Sequence, residues 1–185
     1  MTARPKQMNV CVFCASSDDV SARYVEAARE LGRGLASRGW SLVYGGGNNG
    51  LMGVLAAEMH GLGARITGVI PVALRDRGWA YEWVDEIIVT DGLRERKAIM
   101  EARADAFIGM PGGFGTLEEM LEIITLRQLG MHDKPIVFID VDGFFRGMLD
   151  QFETGYRERF IAEECRGLYH VASSVGDAID YLARG

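Results

Sequence analysis

Along the chain, short runs of consecutive apolar residues alternate with longer stretches in which apolar residues return every three or four positions. The runs predict strands buried on both faces and the longer stretches predict amphipathic helices, so their alternation points to a parallel sheet covered on both sides. Strands are expected over 9–14, 41–44, 65–70, 86–90, 106–110, 135–139 and 168–172. The first helix, 21–38, gathers Tyr24, Ala27, Ala28, Leu31 and Leu35 on one face and stops at Gly39, the residue type that ends helices in the left-handed region. Further helices are expected to begin near Gly50, Leu93, Thr116, Phe144 and Ser174, the last with Asp177 three residues on. In the helix 116–129 the core stripe reads as Leu117, Met120, Leu121 and Ile124, which leaves Ile123 and Leu126 for a second copy of the chain in a two-fold dimer. The expected whole is one Rossmann-like, doubly wound α/β domain over 9–185, with about seven parallel strands and helices on both faces, behind a polar N-terminal tail of 1–8.

Ligands of a doubly wound sheet bind beyond the carboxyl ends of its strands, which makes the strand-to-helix turns the places to look for chemistry. Cys14-Ala15-Ser16-Ser17-Asp18 follows the first strand and offers hydroxyls to a ligand, although Ser and Asp also start helices for local reasons. Gly45-Gly46-Gly47-Asn48-Asn49-Gly50 follows the second and satisfies G-x-G-x-x-G. The third strand, however, ends Gly68-Val69-Ile70-Pro71, without the carboxylate that holds the ribose of a dinucleotide. These glycines serve either a tight turn with close helix packing or the approach of a ligand to the backbone. After the fourth strand, helical spacing gathers Leu93, Arg96, Lys97 and Met100 on one side, two cations sharing a face with apolar residues.

Pro111 to Gly115 follows the fifth strand and opens a helix whose free N–H groups and dipole make an anion site, and phosphate is the commonest anion that fits. No Gly-Lys-Ser or Gly-Lys-Thr follows, so the turn is not a Walker A loop. The acids behind it read in two ways. Thr116-x-x-Glu119 matches a capping box, with Glu118, Glu119 and Glu122 complementing the helix dipole. Alternatively, because acids repel a phosphate beside them, at least one carboxylate addresses another part of the ligand.

Composition narrows the partner. A net charge of −6 over 185 residues argues against nucleic acid and anionic membranes and leaves a small molecule. No stretch resembles a signal-peptide core or approaches the length of a membrane span, so a cytoplasmic protein is expected. Cys11, Cys14 and Cys165 read as reduced thiols, and Cys11-x-x-Cys14 sits inside a strand, where positions three apart point to opposite faces. His60, His132 and His170 lack ligand spacing, so no metal site is expected. Of the three lysines, Lys6 lies in the tail and Lys134 beside Pro135, which leaves only Lys97 for a Schiff base with pyridoxal phosphate.

Gly45-Gly46-Gly47-x-x-Gly50-Leu51-Met52-Gly53, Arg96-Lys97 and Pro111-Gly112-Gly113-x-Gly115-Thr116-x-x-Glu119 occur in the order and spacing of the LOG ("lonely guy") family, which this chain resembles from about Val10 to Leu182. Gln128-Leu129-Gly130-x-His132-Asp133-Lys134-Pro135 and Asp142-Gly143-Phe144-Phe145 extend the likeness. The family comprises cytokinin riboside 5'-monophosphate phosphoribohydrolases, often mislabelled as lysine decarboxylases. The resemblance implies hydrolysis of the N-glycosidic bond of AMP or N6-modified AMP to free base and ribose 5-phosphate, by a homodimer without metal or redox cofactor. It implies catalytic roles for Arg96 and Glu119. It implies substrate contacts from the turn Gly112, Gly113, Phe114, Gly115 and Thr116 with Leu117 and Glu118, and from Lys97, Thr125, Gly46 and Ser17. Two stretches depart from the family pattern near the expected base pocket: Leu93-Arg94, where Met-His is common, and Leu74 to Trp79, where many members carry an acidic segment. The readings from other classes are a non-catalytic carrier of a nucleotide or phosphorylated cofactor, and a pyridoxal-phosphate decarboxylase built on Lys97.

Overall fold

The structure, a computed structural model, describes residues 7–184. Its centre is β1 (Asn9–Phe13), where alternation sends Val10 and Val12 to one face and Cys11 and Phe13 to the other. β2 (Ser41–Tyr44) and β5 (Ala106–Gly109) flank it in parallel, so that Val12 lies opposite both Tyr44 and Ile108. With β3 (Ile66–Pro71), β4 (Glu86–Thr90), β6 (Ile136–Ile139) and β7 (His170–Ala172), these make one parallel sheet in the order β4-β3-β2-β1-β5-β6-β7. The chain winds outward from β1 to β4 and then returns to the other side of β1. This places the topological switch point between β1 and β5, where a doubly wound sheet opens a crevice.

Helices α1 (Ala22–Ser37), α2 (Gly50–Gly61) and α7 (Val175–Arg184) cover one face, where Leu31, Leu35, Leu55 and Met59 pack on Val10, Leu42 and Ile108. Helices α4 (Leu93–Arg103) and α5 (Phe114–Gln128) cover the other, with Met100, Met120 and Ile123 against Phe107 and Phe138. A short α3 (Val72–Arg75) follows β3, and α6 (Arg146–Arg157) follows β6. The predicted α1 holds, with Gly39 in the left-handed region behind it. Ser174 accepts the Asp177 N–H at 3.1 Å as α7 begins. Among the described residues no helix is long and apolar enough to cross a membrane.

Three expectations shift. The polar tail lies outside the described residues up to position 6, and Met8 at its end is buried in the core, its carbonyl accepting the Ser41 N–H at 2.8 Å. The seventh strand is short because Glu163–Leu168 coils into a 3-10 helix. The stripe of α5 is rotated: Thr116, Glu119, Met120 and Ile123 are buried, whereas Leu121, assigned to the core, is exposed and Leu117 and Ile124 are half-buried. Ile123 therefore belongs to this chain's own core.

Candidate active site

At the carboxyl ends of β1, β2, β3 and β5 lies a cavity of about 250 Å³. The helix α5 forms one wall. Gly113 is its N-cap, and the first helical bond runs from the Leu117 N–H to the Gly113 carbonyl at 3.1 Å, so the N–H groups of Phe114, Gly115 and Thr116 have no acceptor within the helix. Gly113, Phe114, Gly115 and Thr116 all line the cavity, as the anion-site reading requires. Phe114 is 94% exposed at the rim.

The helix begins two residues earlier than Thr116, which removes the capping box. Thr116 sits in the third helical position and Glu119 in the second turn, too far in to reach back to an N-cap. Glu119 instead lies on the cavity floor, 8% exposed, beside Arg96, 9% exposed. The Arg96 Nη1 donates to Glu119 Oε1 at 3.0 Å, and its Nε donates to the Val69 carbonyl at 3.0 Å. The guanidinium is also pressed against the glycine loop, where a Cβ at Gly45 would overlap it. Burial pushes the Glu119 carboxyl up to about 7, against the opposing pull of Arg96. The site thus holds an immobilised cation and a carboxylate poised to exchange a proton near neutrality.

The glycine loop 45–50 meets the first turn from the other side. Gly50 has φ +58° and its N–H donates to Asp18 Oδ1 at 2.6 Å, so Asp18 ties the two turns together and does not start a helix. Ser16 lines the cavity, whereas Ser17 lines a separate apolar hollow with Gly112, Tyr24 and Phe144. Gly45 and Gly47 line the cavity rather than Gly46. Burial drives the thiols of Cys11 and Cys14 upward, which leaves both protonated and unreactive although Cys14 borders the cavity.

Several residues implied by the resemblance stand elsewhere. Lys97 turns away to pair with Glu118 and with Glu122, the latter at 2.7 Å, and so clamps α4 to α5. Glu118 and Leu117 are outside the cavity lining, and Thr125 borders a hollow between α5 and α6 with Leu121 and Tyr156. Thr125 Oγ1 donates to the Leu121 carbonyl at 2.7 Å, as a threonine inside a helix does. Sequence reasoning missed Met52, Leu74 and Trp79, which supply apolar lining. The signals were there: Met52 lies in the motif Gly50-Leu51-Met52-Gly53, and Leu74 and Trp79 bound the stretch that departs from the family pattern.

Known proteins resemble this chain over most of its length. The family profile described as "Possible lysine decarboxylase" matches residues 52–182. Cytokinin riboside 5'-monophosphate phosphoribohydrolase LOG of Oryza sativa subsp. japonica is 47% identical over 163 residues, which span 88% of this chain and 67% of that protein. The Arabidopsis thaliana enzyme LOG3, of the same name, is 40% identical over 97% of this chain and 83% of its own. Among solved structures, the molybdenum cofactor carrier protein of Chlamydomonas reinhardtii superposes with a TM-score of 0.72 at 23% identity, covering 97% of this chain and 98% of that one. The molybdenum cofactor binding protein of Rippkaea orientalis gives 0.74 at 21% identity, covering 97% of each chain. These two likenesses concern the fold. The profile and the closely similar sequences settle the kinship: the chain belongs to the LOG family of cytokinin riboside 5'-monophosphate phosphoribohydrolases.

Proposed function

We propose that the protein hydrolyses the N-glycosidic bond of AMP and of N6-modified AMP, releasing the base and ribose 5-phosphate. The observation that carries this reading is the buried Arg96–Glu119 pair on the floor of a cavity whose wall is the free N-terminus of α5. The helix end takes the 5'-phosphate and fixes the ribose. As the bond from the anomeric carbon to the base nitrogen lengthens, positive charge grows on the ribose, and the Glu119 carboxylate is the anion placed to meet it. Glu119 then takes a proton from the attacking water while the new carbon–oxygen bond forms. The base leaves with the bonding electron pair and is protonated from solvent, so the balance is nucleotide plus water to base plus ribose 5-phosphate. A guanidinium offers N–H donors and no acceptor, so Arg96 holds and orients Glu119 and substrate rather than acting as a base.

The deciding experiment incubates the protein with AMP and with isopentenyladenosine monophosphate and looks for free base by chromatography. Base release supports the hydrolase, and tight binding without release supports a carrier. Adenosine should be a poor substrate, and equal cleavage of adenosine and AMP would defeat the phosphate assignment. The decarboxylase reading needs Lys97 as a free amine, and its two carboxylate partners hold it as an ammonium outside the cavity.

The working unit we propose is a homodimer. Support comes from the apolar surface around α5, where Phe114, Leu121, Leu129 and Met131 are exposed. Sedimentation showing only monomer at micromolar concentration would reject it.

A further inference from the structure

We infer that Trp79 is the base-stacking wall of the cavity and that Asn48 is the residue that positions it. The inference rests on the nucleotide reading above and adds to it the residues that read the base.

The cavity spans the tops of β3, β2, β1 and β5, three strand spacings or about 14 Å. The phosphate-binding helix end lies above β5, and Arg96 and Glu119 hold the floor. Opposite the helix end, the lining comes from Ile70 in β3, Leu74 in α3, Met52 in α2 and Trp79, with no charged side chain among these four. An apolar end with one large aromatic plane suits a planar heteroaromatic base, because stacking is satisfied by any flat π-face.

Trp79 is 43% exposed, so its indole is not explained as core. The backbone beside it is nevertheless fastened from one place. Asn48 donates through its backbone N–H to the Trp79 carbonyl at 2.9 Å and through Nδ2 to the Gly78 carbonyl at 3.0 Å. The Tyr81 N–H donates to the Gly46 carbonyl at 2.9 Å, and Gly47 and Ala80 form an antiparallel bridge. The Arg77 guanidinium lies over the indole, 5.5 Å from the ring centroid. The G-x-G-x-x-G loop, which reads in sequence as either a tight turn or a ligand cradle, is thus also the anchor of a strap that carries one aromatic side chain to the cavity. A large side chain held half-exposed by main-chain links on both sides is built to meet something outside the chain.

The test measures binding of AMP and of ribose 5-phosphate by calorimetry in a Glu119→Gln background, where turnover is suppressed. Trp79→Leu should weaken AMP about tenfold and leave ribose 5-phosphate within twofold, and Trp79→Phe should recover most of the loss. Asn48→Ala, which frees the Gly78 carbonyl, should weaken AMP a few-fold with ribose 5-phosphate again unchanged. AMP should quench tryptophan fluorescence, and the quench should vanish in Trp79→Leu while Trp40 and Trp83 remain. Parallel weakening of both ligands, or no effect on AMP, overturns the assignment. If wild-type protein binds AMP without cleaving it, the hydrolase reading fails, yet the difference between the two ligands still decides the role of Trp79.

Discussion

Two cation–carboxylate pairs join α4 to α5, one residue apart on each helix. Arg96 meets Glu119 on the cavity floor, and Lys97 meets Glu118 and Glu122 on the outer side. In sequence the two are near equivalents, adjacent cations facing adjacent acids. In space they divide by burial. Arg96 and Glu119 are both nearly sealed, whereas Glu118 and Glu122 reach solvent. Water screens the outer cluster and makes it a fastening of modest strength. The inner pair is stripped of water, its carboxyl is raised toward neutrality, and every unbalanced charge beside it is felt strongly. One step along a helix thus separates a latch from a reactive site.

The sharpest way to break this comparison is Glu119→Gln. Glutamine keeps an acceptor for the Arg96 Nη1 and nearly the same volume, so the fold and AMP binding should survive. The anion and the base both disappear, and turnover of AMP should fall at least about a hundredfold. Circular dichroism and a thermal melt check the fold while product chromatography checks the rate. Near-normal turnover would remove Glu119 from the chemistry and leave it as a partner for Arg96.

Arg96→Lys probes the other half. A lysine ammonium keeps the charge but not the planar fork that spans the Val69 carbonyl and Glu119 at once. An expected loss of roughly thirtyfold in kcat/KM, smaller than that of Glu119→Gln, reflects a positioning role with charge retained. An equal or larger loss would mean that the guanidinium itself contacts the reacting atoms.

The pH profile comes next. Because burial raises the Glu119 carboxyl, it is protonated and unable to accept a proton below about 7. The kcat/KM for AMP should therefore be level above that pH and fall about tenfold per unit below it. Residual activity of Glu119→Gln should lack this acid limb. A limb near the ordinary glutamate range, with wild-type rates intact at pH 6, would show that water or substrate reaches the pair more freely than its burial implies.

Much of this was legible beforehand. The strand and helix periods are strong because each strand of a covered parallel sheet is an apolar run, and the order of elements follows from their alternation. The Pro111 to Gly115 turn was legible as a strand-to-helix turn, because glycines between an apolar run and a helical period punctuate the chain there. The tertiary pairing was not. Thr116-x-x-Glu119 satisfied a local rule, but glycine at 113 caps the helix earlier and frees Glu119 from that role, and its pairing with Arg96 comes from another helix. Which face of α5 packs inward is likewise set by the partner elements and not by the start of the helix, and it puts Ile123 in the core and Leu121 at the surface. Ser16 and Ser17 could not be told apart, because which hydroxyl faces the cavity depends on the Asp18–Gly50 tie across 32 positions. The strap that carries Trp79 depends on hydrogen bonds to Gly46 and Asn48, which no local pattern announces.

The smallest expected effect belongs to Lys97→Met, and it is the control that gives the comparison its meaning. Resemblance places Lys97 beside the substrate, whereas the structure turns its ammonium to Glu118 and Glu122 and keeps it out of the cavity lining. Methionine preserves the unbranched stem that packs between the helices and removes only the charge. The two acids it leaves behind are partly solvated, so the cost in stability should stay below about 1 kcal/mol, a shift of a few degrees in Tm. Turnover of AMP should remain within about threefold of wild type, through slight loosening of α4 against α5 and not through loss of a contact. Added salt should erase much of the stability difference, since a cluster whose acids reach solvent is screened and a sealed pair is not. A loss in Lys97→Met as large as that in Arg96→Lys, with a normal melt, would place the ammonium on the nucleotide after all and make the two pairs parts of a single site.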